Sequence, residues 1–152
     1  MADWRATAIQ HVAINVTDFE RSLGFYRDML GMTVAWDREF SGPGLSTMVG
    51  LVDARTRVAM LTMDNAAIEI FQYVSPPSHS LVARVCDIAI THVGLIVTDI
   101  NKAYEELLAR GVLFNCPPQY IEAGPMKGWT AVYCKDPDGI IVELMQAPSA
   151  GD

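Results

Sequence analysis

The amino-acid sequence predicts an α+β fold made of two tandem copies of one βαβββ module. Residues 11–18 (HVAINVTD) and 92–99 (HVGLIVTD) are identical at five of eight positions, at a constant offset of 81. Each octet is followed by a helical pattern that stops at a glycine, Gly31 or Gly111. Each half later contains Glu-apolar-apolar-Gln, at residues 69–72 and 143–146. A repeat of this period indicates a duplicated supersecondary unit.

The first copy opens with a β-branched run, residues 9–16, that predicts a strand. Thr17 is the expected helix N-cap, and Glu20 three residues later would complete a capping box. Apolar residues at 19, 23, 26 and 30 form the buried stripe of the helix that follows. Three strands are expected near 32–40, 57–63 and 67–73, and the segment Gly42-Pro43-Gly44 predicts a loop between the first two.

The second copy repeats this order. It predicts a strand at 90–97, a helix beginning at Thr98, and strands near 112–122, 129–135 and 139–146. The segment 136–139, Asp-Pro-Asp-Gly, is expected to be a hairpin turn. We therefore place module one at about 8–74, a linker at about 75–87 and module two at about 88–147, within a single domain spanning 1–152.

Composition limits the classes of partner. The chain has 152 residues, of which 51% are hydrophobic and 19% charged, so it is not intrinsically disordered. It carries 11 Lys and Arg against 18 Asp and Glu and contains no basic run, which argues against nucleic acid or an anionic membrane as partner. No apolar run approaches the roughly 20 residues of a membrane span. Its three cysteines show no CxxC spacing, as expected of reduced thiols in a cytoplasmic protein.

Alternation along the strands predicts where the repeated polar residues point. His11 and His92 lie opposite the apolar faces of their strands, and each is followed two residues later by a small residue, Ala13 or Gly94. Glu69 and Glu143 are flanked by apolar residues, where an ionised carboxylate needs a cationic partner. Taken singly, each would be an ordinary cleft histidine or solvent-facing glutamate. Their matched positions favour a site for a divalent ion, with a relic of such a site as the alternative.

These motifs identify a resemblance. The stretches HVAINVTDFERSLGFYRDMLGM, ITHVGLIVTD and EAGPMKGWTAVYCKDPDGIIVEL resemble the vicinal oxygen chelate superfamily, and the likeness covers residues 8–147. It implies that the two modules form a half-barrel around a metal and substrate cleft, often within a homodimer. It also implies one divalent ion per chain, which would be Zn, Ni, Co, Mn or Fe. The implied metal ligands are His11, Glu69, His92 and Glu143.

The resemblance implies an isomerase, epimerase or lyase that acts on a small oxygenated carbon acid through a metal-stabilised enediolate or enolate. Glu143 and Glu69 are the candidate catalytic bases. An extradiol-type dioxygenase of the same fold is one alternative, and a metal-free protein that binds a small molecule such as an antibiotic is the other. The candidate substrate-binding residues are Asn15, Tyr73, Lys127, Trp129 and Tyr133.

Within the superfamily, the two His and two Glu match bacterial lactoylglutathione lyase. That enzyme's glutathione contacts are largely replaced: Asn15 and Ile88 stand where arginines are expected, and Tyr73 stands where an asparagine is expected. Lys127 is retained. Because each lost contact to a carboxylate removes a charge-assisted or amide hydrogen bond, we expect poor activity on the hemithioacetal of methylglyoxal and glutathione.

Overall fold

The computed structural model of the protein describes residues 8–79 and 92–148. The chain divides into two compact units, residues 1–80 and 81–152, and each is built around one β-sheet. The predicted α+β class is confirmed, and each unit follows the βαβββ order with the differences given below. Residues 80–91, which include most of the predicted linker, lie outside the described residues.

Within residues 8–79, the first unit contains four strands and two helices. In chain order they are β1 (Val12–Asn15), α1 (Phe19–Leu23) with a π-helical continuation (Gly24–Met29), β2 (Thr33–Ser41), α2 (Pro43–Val49), β3 (Arg55–Met63) and β4 (Ala66–Ser75). The sheet order is β1-β4-β3-β2, with β1 parallel to β4 and the other neighbours antiparallel. Strand β4 therefore lies at the centre of the sheet, directly beside β1.

The second unit repeats this arrangement around a second sheet. Its elements are β5 (His92–Ile96), α3 (Ile100–Ala109), β6 (Leu113–Phe114), β7 (Gln119–Tyr120), β8 (Thr130–Lys135) and β9 (Ile141–Gln146). Strand β5 runs parallel to β9, β9 pairs with β8, and both β6 and β7 pair with β8. Strand β9 is thus the counterpart of β4.

The predicted strand at 112–122 is wrong as one element, because the structure has two strands of two residues each. Pro117 and Pro118 lie between them, and proline has no amide hydrogen to donate to a sheet. The predicted turn at 136–139 is confirmed. The Asp136 carboxylate accepts hydrogen bonds from the amides of Asp138 (2.9 Å) and Ile140 (2.8 Å), and Gly139 has a φ of 86°.

The helix starts differ by one residue from the prediction. Asp18, not Thr17, is the N-cap of α1, and its carboxylate accepts a hydrogen bond from the Arg21 amide at 3.1 Å. Asp99 caps α3 in the same way, in place of Thr98. An Asp carboxylate reaches the amide of the third helical residue as well as a threonine hydroxyl does, so the Thr-Asp pair is ambiguous in sequence.

The predicted capping box is also wrong, since the Glu20 carboxylate accepts a hydrogen bond from the Arg57 guanidinium at 2.7 Å. The expected loop at Gly42-Pro43-Gly44 is instead the start of α2, with Pro43 in the first turn, where a missing amide hydrogen costs nothing. Among the described helices, none is long and apolar enough to cross a membrane.

Candidate metal and substrate site

On strands β1 and β5, buried and exposed side chains alternate as the sequence predicts. On β1, Ile14 is buried, as is Val16 directly after the strand, whereas Ala13 and Asn15 are exposed. The same contrast holds on β5, where Leu95 is buried and His92 is exposed. The histidines therefore lie on the sheet face that is turned away from the helix, which we call the site face of each unit.

On the site face of the first unit, His11 meets Glu69. Ala13 is the direct neighbour of Glu69 across the parallel pair β1–β4, and His11 precedes Ala13 by two residues. The His11 Nε2 atom lies 3.1 Å from the Glu69 Oε2 atom, with 36% of the His and 12% of the Glu side chain exposed. The other ring nitrogen, Nδ1, is hydrogen-bonded to the side chain of Gln10. Metal-binding histidines are commonly held in this way through the second nitrogen.

On the site face of the second unit, His92 meets Glu143 in the same relation. Gly94 is the direct neighbour of Glu143 across the parallel pair β5–β9. The His92 Nε2 atom lies 3.4 Å from the Glu143 Oε2 atom, with side-chain exposures of 36% and 15%. A β-carbon at Gly94 would stand 3.3 Å from the Met145 Cε atom and 3.8 Å from the Glu143 Oε2 atom. The absence of a side chain at Gly94 thus leaves room beside Glu143 and Met145.

Tyr133 distinguishes the second pair from the first. It is the direct cross-strand neighbour of Glu143, and its ring lies 5.4 Å from the His92 ring, edge to face. Burial raises the pKa of the Tyr133 phenol, and the Glu143 carboxylate, which accepts its hydrogen bond, raises that pKa further. The phenol therefore stays protonated near neutral pH. The matching neighbour of Glu69 is Met60, which has no hydrogen to donate.

The structure thus brings the four predicted ligands together as two His–Glu pairs, one in each unit. In the described part of the chain, no three His, Cys, Asp or Glu side chains cluster closely enough to hold a metal ion together. Each pair offers an imidazole nitrogen and a largely buried carboxylate, and these donors suit a borderline divalent ion. The residues present fit such an ion, and the set of four ligands remains a prediction.

The repeated glutamines Gln72 and Gln146 serve the fold and not the site. The Gln72 amide donates a hydrogen bond to the Thr17 carbonyl at 2.8 Å, and the Gln146 carbonyl accepts one from the Ile100 amide at 2.7 Å. Both bonds connect the last strand of a module to the start of its helix. Three residues after the glutamate, each glutamine falls on the opposite face of its strand.

The remaining predicted substrate residues occupy two regions. Asn15 is exposed on the site face of β1, and Tyr73 shares the site face of β4 with Phe71, with the two rings stacked 6.1 Å apart. Lys127 is exposed and lines an open cavity of about 580 Å³ together with Gly128 and Thr130. Trp129 is half-buried beside that cavity in the loop between β7 and β8. Ile88 lies outside the described residues.

Comparison with known proteins agrees with this architecture. The family profile of the Glyoxalase/Bleomycin resistance protein/Dioxygenase superfamily matches residues 8–144. The chain is 29% identical over 149 residues to a 2-epi-5-epi-valiolone epimerase from Actinomyces sp., which covers 95% of this chain and 81% of that protein. It is 30% identical over 145 residues to a probable lactoylglutathione lyase from Synechocystis sp., with coverage of 93% and 97%.

The fold is also found among solved structures. A glyoxalase family protein from Bacillus cereus superimposes with a TM-score of 0.86 at 18% identity, covering 98% of this chain and 99% of that one. The chain belongs to the Glyoxalase/Bleomycin resistance protein/Dioxygenase superfamily. The resemblance predicted from the sequence is therefore confirmed.

Proposed function

We propose that the protein is a metal-dependent isomerase, epimerase or lyase that moves a proton on a small oxygenated carbon acid. The observation that carries this proposal is the pair of matched His–Glu contacts, at 3.1 Å and 3.4 Å, on equivalent strands of the two units. The glutamates are only 12% and 15% exposed, so each needs a cation to offset the cost of its burial. Relatives named as an epimerase and a probable lyase support the same reaction class.

In this proposal His11, Glu69, His92 and Glu143 hold one divalent ion per chain. Bound there, the ion would supply Lewis-acid stabilisation of negative charge on substrate oxygens. Glu143 is the first candidate for the base that removes the proton next to the substrate carbonyl, and Glu69 is the second. For an isomerase or a lyase, the same carboxyl group would return the proton to the neighbouring carbon. For an epimerase, the other glutamate would donate a proton to the opposite face.

The Tyr133 hydroxyl has a positioning role in this arrangement. The hydroxyl donates a hydrogen bond to Glu143, and the Tyr133 ring contacts the His92 ring edge to face. Tyr133 therefore restrains both members of the second pair. A carboxylate that acts as a base removes a proton faster when it is held in a fixed orientation toward that proton. Glu69, whose neighbour is Met60, lacks that restraint.

We infer that a glutathione conjugate is a poor substrate of this protein. Asn15 lies exposed on the site face of β1 and carries an amide instead of a guanidinium, and Tyr73 on β4 carries a phenol. Neither side chain supplies the positive charge that a tripeptide carboxylate would need. The hemithioacetal of methylglyoxal and glutathione is expected to turn over well below the usual enzyme range, which begins at about 10⁴ M⁻¹s⁻¹ in kcat/KM.

Metal analysis of the purified protein tests the metal site directly. We expect one divalent ion per chain, removed by a chelator and restored by added metal. His11→Ala and His92→Ala should each weaken binding, whereas His79→Ala is the matched control because His79 is exposed outside both pairs. A protein that binds no added metal would contradict the proposal and indicate the metal-free binding protein. Oxygen consumption with a catechol would indicate the dioxygenase.

Proton transfer is tested with Glu143→Gln and Glu69→Gln in metal-replete protein. Glutamine keeps the shape and one oxygen donor but removes the basicity. Exchange of the α-proton of α-hydroxy ketones with deuterated solvent should fall by about 10²–10⁴-fold in the variant that has lost the base. If both variants exchange at the wild-type rate, neither glutamate is the base.

A further inference from the structure

Strand β2 contains a bulge that changes which side chains reach the site face. Val34 pairs with Leu61 and Trp36 pairs with Met60, so Ala35 is an additional residue with no partner on β3. In a regular strand Val34 and Trp36 would share one face, because side chains alternate. The additional residue places them on opposite faces.

The contacts of Asp37 show which side chains of β2 point to the helix side of the sheet and which point to the site face. The Asp37 carboxylate accepts hydrogen bonds from the Arg57 guanidinium at 3.0 Å and 2.6 Å. That guanidinium also lies 4.0 Å from the centre of the Phe19 ring on α1. Asp37 therefore points to the helix side of the sheet. Arg38, the next residue, points to the site face.

Along strand β2, Arg38 lies between two aromatic residues whose side chains are on the same face. Trp36 and Phe40, two residues to either side, have ring centres 6.2 Å apart, edge to face. Directly paired residues of neighbouring strands lie on the same face of the sheet. Trp36 pairs with Met60, and Met60 pairs with Glu69. The aromatic pair and the first His–Glu pair therefore share a face. The neighbouring carboxylate of Asp37 is on the other side of the sheet.

The Arg38 guanidinium is available to a ligand. It is exposed, and its one hydrogen bond among the described residues is to the backbone carbonyl of Asp37, at 2.7 Å. No carboxylate within residues 8–79 and 92–148 forms an ion pair with it. Arg57, on the opposite face, is by contrast paired with two carboxylates. An unpaired arginine on the substrate side of an acidic protein of net charge −7 is suited to recognising an anion.

The spacing suits a small molecule. Strands lie about 4.8 Å apart and rise about 3.3 Å per residue. Two strand steps and two residues therefore separate the Cα atoms of Glu69 and Arg38 by about 12 Å. The arginine side chain spans about half of that distance. A ligand with two oxygens near His11 and Glu69 would reach the guanidinium through a chain of a few carbon atoms.

We propose that Arg38 binds a carboxylate of the substrate, so that the substrate is an anionic carbon acid with its charged group a few carbons from the reacting oxygens. Trp36 and Phe40 would offer apolar contact to the carbon chain of the substrate on the same face. This inference rests on the proposed function, because it assumes that the oxygens of the same molecule bind at the His–Glu pairs.

Calorimetric titration of the Zn²⁺-loaded protein tests the proposal with two matched ligands. 2-Oxoadipate and 2-oxohexanoate have the same chain length and the same adjacent oxygens, and only the first has a second carboxylate. We expect wild type to bind 2-oxoadipate at least about tenfold more tightly, as one charge-assisted contact provides. Arg38→Gln should abolish this difference and leave the affinity for 2-oxohexanoate unchanged.

Arg55→Gln is the matched control. Arg55 is also exposed and lies on β3, but alternation with Arg57 places it on the helix side, so the preference for the dicarboxylate should persist. Equal affinity for the two ligands in wild type, or a preference that survives Arg38→Gln, overturns the Arg38 subsite while the metal site stands. Failure of both ligands to bind in the presence of Zn²⁺ overturns the proposed function and the subsite together.

Discussion

Replacing Tyr133 with phenylalanine removes one oxygen atom from the surroundings of Glu143 and leaves the ring against His92. The structure shows what is lost: a hydroxyl that donates a hydrogen bond to a carboxylate only 15% exposed. Groups that hold a metal ligand in place are typically worth 10–100-fold in metal affinity or activity. We expect Tyr133→Phe to weaken divalent metal binding, or to lower kcat, by about tenfold or more.

Competition with a chromophoric chelator measures the metal affinity, and the thermal midpoint of the metal-free protein measures the fold. Tyr120→Phe is the control, because Tyr120 is 61% exposed on the short strand β7. We expect the control to match wild type in both measurements. If Tyr133→Phe keeps wild-type affinity and wild-type kcat, the hydrogen bond to Glu143 does not position a ligand, and the asymmetry between the pairs has no functional meaning.

Three further predictions concern the scaffold. Gly94→Ala should change the free energy of unfolding, measured by urea titration, by less than about 1 kcal/mol. The nearest atom to the added β-carbon is the end of the flexible Met145 side chain. A larger loss of stability would mean that this part of the site face is rigid. Arg57→Lys should cost about 1–2 kcal/mol in the same assay, because lysine cannot make two parallel bonds to Asp37, and no loss would contradict this. At pH 8, alkylation followed by peptide mapping should find Cys116 modified and Cys134 unmodified until the protein unfolds. Burial raises the pKa of the Cys134 thiol to about 11, so little of the reactive thiolate forms. Labelling of Cys134 in the native protein would contradict this prediction.

The features that the sequence predicts correctly are those with a strict period. Strand alternation has a period of two, so the exposed positions of His11 and His92 follow from the residues between them. The repeat then aligns the two modules and identifies Glu69 and Glu143 as equivalent strand residues. Their proximity to the histidines, at 3.1 Å and 3.4 Å, depends on the parallel pairing of β1 with β4 and of β5 with β9.

The features that it misses are local choices between two suitable residues, or insertions that leave no composition signal. Thr17 and Asp18 are both good N-caps, and in the structure Asp18 takes this position with an extended backbone. The bulge at Ala35 is invisible, because alternation alone puts Val34, Trp36 and Arg38 on one face. For that reason Arg38 is absent from the predicted site residues, although its chemistry is conspicuous. Asp37 and Arg57 are oppositely charged and 20 residues apart. Pairing them in the sequence would have placed Asp37 on the helix side and Arg38 on the site face.

Duplication explains why the two modules share a His–Glu pair but differ in the residues around it. The equivalent His–Glu pairs require only a strand register and a small neighbouring residue, which both copies of the module retain. The residues beside each pair are free to differ: Tyr133 donates a hydrogen bond to Glu143, whereas Met60 offers Glu69 none. The long strand β2 brings Trp36 and Arg38 to one site face, whereas its counterpart in the second unit is reduced to β6 and β7. We infer that one module has specialised in restraining a carboxylate and the other in recognising the substrate.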